Sequence, residues 1–195
     1  MEVSMLPLIV LLATGCDDLG RNAAKVFPVL EKVNEDYAEP SIDCEPPYPT
    51  PSPRSNGIVG TLTCGSVIEG NTSNGTKLWG SDFYQAAHCS VERKQWEASP
   101  ELIYKLVVPA NLEAEVKLVS DCVDLDLVGV GWSDDRIPKP EHGRSITQCD
   151  MDISRKGGKL RLNAVGHDWT YLVGVDGKAG AAGNFRLSVK CYTFR

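Results

Sequence analysis

Between Leu112 and Leu118 the chain alternates without a break: Leu112, Ala114, Val116 and Leu118 are apolar, and Glu113, Glu115 and Lys117 between them are charged. Successive side chains of a strand point to opposite faces, so a period of two predicts a strand with one buried and one wetted side. The pattern returns at Leu160, Leu162 and Ala164 against Lys159, Arg161 and Asn163, and again at Tyr171, Val173 and Val175. It appears a last time in Phe185, Leu187, Val189 and Cys191 against Arg186, Ser188 and Lys190. Leu102 to Val108 is a further β-rich run closed by Pro109, and Asn71 to Gly75, Lys156-Gly157-Gly158 and Asp176-Gly177-Lys178 supply turns. No long helical pattern interrupts residues 57–195. One-sided strands joined by turns must bury their apolar faces against one another. The expectation for 57–195 is therefore an all-β domain, a jelly-roll-like antiparallel β-sandwich.

The chain ahead of this zone reads as a tail in two parts. Residues 16–56 have the character of a tether. From Leu19 to Tyr37, the residues Ala23, Val26, Phe27, Leu30, Val33 and Tyr37 recur three and four apart, as one face of a short helix does, with Pro28 starting or kinking it. Six of the twelve prolines then fall between Glu39 and Asn56, a composition that holds a chain extended as a semi-rigid linker. Residues 1–15 have the form of a lipoprotein-type signal peptide. The apolar run Leu6 to Ala13 leads into Thr14, Gly15 and Cys16, and small residues directly before a cysteine are the cleavage and acylation pattern that leaves that cysteine carrying lipid. Cys16 is the candidate lipidation site, with diacylglycerol and palmitate-type chains as the membrane anchor. Met1 to Pro7 carries Glu2 and no basic residue, which departs from the usual signal start. The run is short of the roughly 20 residues a membrane span needs. A transmembrane helix and a buried N-terminal strand with a core cysteine are the other readings of the same residues.

Cysteine arithmetic fits export. Of seven cysteines, assigning Cys16 to lipid leaves Cys44, Cys64, Cys89, Cys122, Cys149 and Cys191. Six thiols allow three disulfides, which persist in an oxidising compartment, the periplasm or the cell surface, and fifteen connectivities stay open. A bond from Cys44 would tie the stalk to the domain. No C-x-x-C spacing occurs, which removes the usual basis for zinc ribbons and thioredoxin-type redox work. A net charge of −6 argues against nucleic acid. The one dense basic cluster, Arg155, Lys156, Lys159 and Arg161, reads as a solvated strand edge or turn.

Catalytic chemistry has little to stand on. His88, His142 and His167 are the three histidines, and none lies in a recognisable triad, zinc-protease or phosphate-loop motif. No enzyme activity is expected. Asp124 with Asp126, and Asp150 with Asp152, supply two pairs of hard oxygen ligands that would bind Ca²⁺ if they converged; plain solvated carboxylates are the alternative. Trp79, Trp96, Trp132 and Trp169 are candidates for a carbohydrate-stacking or partner surface, or else for core filling. Trp132, which opens a proline-bearing loop, is the one expected to be partly exposed. The sequons at Asn71 and Asn74 matter only in a eukaryotic secretory route.

A set of short segments, in order, resembles the bacterial pre-peptidase C-terminal (PPC) domain family. They are Gly75-Thr76, Ser81-Asp82-Phe83-Tyr84, Pro100 to Leu106, Asp124 to Val130, Tyr171 to Gly177, and Gly183-Asn184-Phe185-Arg186-Leu187-Ser188-Val189. The resemblance covers most of 57–195 and implies a jelly-roll-like sandwich that serves as a non-catalytic accessory or binding module. Together these features predict a membrane-tethered interaction module of the cell envelope with a protein or carbohydrate partner. The alternative is an accessory lipoprotein that binds Ca²⁺, a small ligand or a carbohydrate, and, further off, an enzyme with an unrecognised site.

Overall fold

The computed structural model describes residues 41–86, 99–134, 136–150, 157–178 and 180–193. The signal segment, Cys16, the helix expected within 19–37, His88, Cys89, Trp96 and Asp152 lie outside them. Nine strands run through the described residues: β1 (Ile58–Leu62), β2 (Val67–Asn71), β3 (Leu102–Val108), β4 (Leu112–Val119), β5 (Leu125–Gly131), β6 (Ile146–Asp150), β7 (Gly158–Ala164), β8 (Trp169–Gly177) and β9 (Asn184–Thr193). They form a five-stranded sheet in the order β1-β3-β8-β5-β6 and a four-stranded sheet in the order β2-β9-β4-β7. The domain is an all-β sandwich. One pairing departs from the antiparallel expectation, because β1 runs parallel to β3 with Leu62 beside Leu106. The long connection between them, residues 63–101, lets the chain return and run in the same direction, which a tight hairpin cannot do.

The alternating strands meet as their patterns require. Ala114, Val116 and Leu118 of β4, Leu160 and Leu162 of β7, and Phe185, Leu187 and Val189 of β9 face Leu106, Leu127, Tyr171, Val173 and Val175 of the other sheet, all buried in one core. The opposite face of the four-stranded sheet is charged and wet. Arg161 reaches Glu115 at 3.6 Å and Glu113 at 3.9 Å, and Lys159 reaches Glu115 at 3.5 Å, contacts that contribute little at an exposed surface.

The five-stranded sheet is covered on both faces. Its outer side carries a second core of Ile58, Ile103, Val128, Val130 and Leu172, roofed by Trp79, Phe83 and Tyr84. The last two belong to α1 (Ser81–Ala86). Trp79 stacks on Phe83 with centroids 4.8 Å apart, and its ring lies over Gly174, where a Cβ would collide with it. β6 and β7 border the two sheets on one side, and side chains join them. Asp150 Oδ2 accepts from the Lys159 amide at 2.8 Å and Gln148 Oε1 from the Arg161 amide at 2.5 Å.

At one end of the sandwich the start of the described chain is strapped down. The Cys44–Cys122 disulfide closes a separation of 78 residues, and Asp121 Oδ2 accepts from the Ile42 amide at 2.9 Å. Asn184 is the hub. It is buried, its Oδ1 accepts from the Tyr48 amide at 2.8 Å and from Asn71 Nδ2 at 2.6 Å, and its Nδ2 donates to the carbonyls of Asp43 and Pro46. The part of the proline-rich segment from Ile42 to Tyr48 is thus docked on the sandwich, with Asn71 inside the joint and unavailable to a glycan. A second disulfide, Cys64–Cys191, spans 127 residues; it lies toward the opposite end, beyond Leu62 and the Val67↔Ser188 pair. Cys149 is disulfide-bonded as well.

Because one amide serves four partners, Asn184→Ala leaves buried donors and acceptors unsatisfied. Denaturant unfolding of the oxidised protein is expected to show a loss of about 2–4 kcal/mol. An unchanged midpoint would mean that the strap contributes nothing to folding.

Candidate functional site

Two places in the sandwich gather polar chemistry, and they lie at opposite ends. The first is buried on the outer side of the five-stranded sheet, at the end where the strap enters. Asp126 and Asp176 are direct partners across β5 and β8, and Glu101 precedes β3; all three are buried. Glu101 Oε1 accepts from the Leu78 and Trp79 amides, so this carboxyl sets the segment that places Trp79 over the sheet. The Glu101 backbone pairs with Thr76 in the same stretch. Tyr84 donates its hydroxyl to Asp176 Oδ2.

Low polarity governs how these acids titrate. Burial, then the neighbouring Asp176, pushes Glu101 from 4.5 to about 9. Burial likewise raises Asp176, opposed by the Tyr84 hydroxyl and the Gly177 amide. The Tyr84 phenol is raised by burial and by the same carboxylates. A protonated Glu101 places its hydrogen on Oε2, the oxygen with no hydrogen-bond partner. The cluster is a structural device under α1 and Trp79, enclosed and without a histidine or a nucleophile beside it among the described residues.

Of the expected metal pairs, Asp124, Asp126 and Asp150 lie among the described residues and Asp152 lies outside them. Leu127 and Asp150 are opposite one another across β5 and β6, so Asp150 shares the face of Leu127 while Asp126, one residue away on β5, points to the other side. Asp150 is engaged with the Lys159 amide. Asp124 sits in the turn before β5, and its carbonyl accepts from Lys178 at 3.5 Å. Among the described residues no three His, Cys, Asp or Glu side chains form a metal-holding group. Among the described residues neither His142 nor His167 hydrogen-bonds a carboxylate or hydroxyl. His142 Nδ1 accepts from the Lys139 amide at 3.1 Å, and the His167 ring leans on Trp169 with centroids 5.2 Å apart.

The second place is an open groove of roughly 540 Å³ lined by Gly131, Arg144, Ser145, Asn163, Val165, Trp169 and Tyr171. It is assembled from the end of β5, the end of β7, the start of β8 and the turn before β6. Trp169 is 42% exposed and Val165 is 65% exposed. Tyr171 is fixed as a wall by donating its hydroxyl to the Asn163 carbonyl at 2.6 Å. Trp132, expected to be partly exposed, is half-buried: it packs against the second core, and its Nε1 donates to the Arg136 carbonyl at 2.7 Å, so that Trp169 is the more exposed ring. Trp79 is fully buried. The sequence had no signal for the second core that takes up Trp132, and none for the groove, whose residues are scattered from 131 to 171.

Among solved structures the chain is similar to the pre-peptidase C-terminal domain of a collagenase from Bacillus anthracis, with 13% identity and a TM-score of 0.42, over 70% of this chain and 100% of that one. It is similar also to PliG of Aeromonas hydrophila, a periplasmic inhibitor of g-type lysozyme, with 12% identity and a TM-score of 0.40, over 68% of this chain and 96% of that one. No family model matches the chain, and no curated protein matches it.

Carboxyls whose folded values are raised hold protons that the unfolded chain has already released. Their contribution is complete at pH below the unfolded values of 4.5 for Glu101 and 3.8 for Asp176, and it declines until the folded values, about 9 and about 7, are passed. Thermal unfolding from pH 5 to 9 is expected to show Tm falling with pH. Glu101→Gln keeps an acceptor for Leu78 and Trp79 and is expected to flatten the fall between pH 7 and 9; the same slope in wild type and variant would show that Glu101 is not protonated.

Proposed function

We propose that this protein is a non-catalytic binding module of the cell envelope, held to a membrane by lipid on Cys16 and working outside the cytoplasm. The observation that supports it is the polarity of the sandwich. The described chain enters at the end where Cys44, Asn184 and Asp121 strap it down. The open groove lies at the other end of β8, whose nine residues span roughly 27 Å. A tether arriving at the strap would attach to the domain at the pole opposite Trp169. Disulfides at both ends suit an oxidising compartment. The arrangement also suits binding over chemistry: among the described residues the groove lining pairs no nucleophile with a base, and the buried acids lie beneath Trp79 and α1. Two long-range cross-links and a hydrogen-bonded strap make a rigid head, which lowers the ordering cost of capturing a partner.

The tether is tested directly by mass. Intact protein extracted from membranes is expected to begin at Cys16, to carry an acyl increment and to gain six hydrogens on reduction. Cys16→Ser is expected to move essentially all of the protein to the soluble fraction with its Tm unchanged. A wild-type chain recovered without acyl mass would overturn the lipid anchor.

A further inference from the structure

The groove beside Trp169 carries more information than its position. Four of its lining residues are apolar or serve as wall: Gly131, Val165, Trp169 and Tyr171. Trp169 offers an exposed indole steadied by the His167 ring, and Tyr171 has its hydroxyl committed to the Asn163 carbonyl. Against these stand Arg144 and the side-chain amide of Asn163, both exposed and neither with a hydrogen-bond or ion-pair partner among the described residues. Among the described residues Arg144 is the one charged residue in the lining, and it is a cation in a chain of net charge −6.

Each part of that set matches one part of an acidic sugar. A pyranose ring presents a face of C–H groups that lies flat on an indole, a surface that is apolar yet tolerant of water. Its hydroxyls suit a planar amide, which donates and accepts from one group. A carboxylate or sulfate on the ring suits a guanidinium, whose fork takes two oxygens of one anionic group through two parallel hydrogen bonds. A purely apolar peptide segment leaves Arg144 and Asn163 idle, and a polyanionic nucleic acid meets the chain's own negative field. The volume falls within the range of ligand sites, and its openness suits a chain that runs through it. We propose that the Trp169 groove is a binding site for an acidic saccharide, stacked on Trp169, hydrogen-bonded by Asn163 and paired through its anionic group with Arg144. This rests on the reading of the protein as a binding module and names its ligand class.

The test uses full-length protein, extracted from membranes in detergent, on an immobilised panel of carboxylated, sulfated and neutral oligosaccharides, followed by calorimetry with the retained glycans. Acidic glycans are expected to be retained over their neutral counterparts. Trp169→Ala is expected to weaken binding at least tenfold for every retained glycan. Arg144→Gln is expected to bring the acidic glycan down to the affinity of its neutral counterpart, with Tm unchanged in both variants. Retention of no glycan, equal retention of acidic and neutral ones, or binding that ignores both substitutions would overturn the proposal. The mass of the same sample separates the two readings. Acylated protein that retains no glycan overturns the ligand class and leaves the tether standing, whereas unacylated protein that retains acidic glycans does the reverse.

Discussion

Burial of the five-stranded sheet on both faces is the constraint around which the rest of this domain is arranged. A two-sheet sandwich needs only one dry face per sheet, and the four-stranded sheet follows that rule, with Glu113, Glu115, Lys159 and Arg161 in solvent. The other sheet has Leu125 and Leu127 facing inward and Val128 and Val130 facing outward under Trp79 and Phe83. Closing that second face requires a roof, and the roof requires a fixed point. Glu101 supplies it by accepting the backbone amides that carry Trp79 into place. A carboxyl enclosed in this way is costly as an ion and tolerable as an acid, so the roof and the protonation state of its anchor are one problem with one solution.

The legible part of the sequence is the part with a wet side. β4, β7 and β9 announce themselves because water on one face forces polar residues into every second position, and the structure places strands at each of them. β5 has no alternation in Leu-Asp-Leu-Val-Gly-Val-Gly, because both faces are dry and six of its seven residues are buried. Its one charge, Asp126, is the visible trace of the acid cluster, as Asp176 is in β8. α1 is six residues long, too short to show a period. The parallel pairing of β1 with β3 depends on how residues 63–101 return, which no local pattern encodes. Neither does the pairing of the cysteines, since Cys44 meets Cys122 through the strap and Cys64 meets Cys191 through the neighbouring positions of β2 and β9.

Trp132 and Trp169 show how far composition and position carry a surface argument. Both follow or open a strand at the same end of the sheet, and both sit beside a histidine ring. Their fates differ because the loop after β5 folds back over the second core, where Ile137 packs with it. The turn before β8 leaves Trp169 42% exposed. The groove exists because three strand ends and one turn stop at the same level, with the small Gly131 among them.

The side chains that bridge β6 and β7 have a consequence for how the molecule meets other chains. A border strand with idle backbone donors is a template on which another chain can add itself, the first step toward fibrous assembly. Asp150 and Gln148 occupy two of those donors from within the same molecule. With those donors already bonded inside the molecule, this border offers an incoming strand two fewer places to pair.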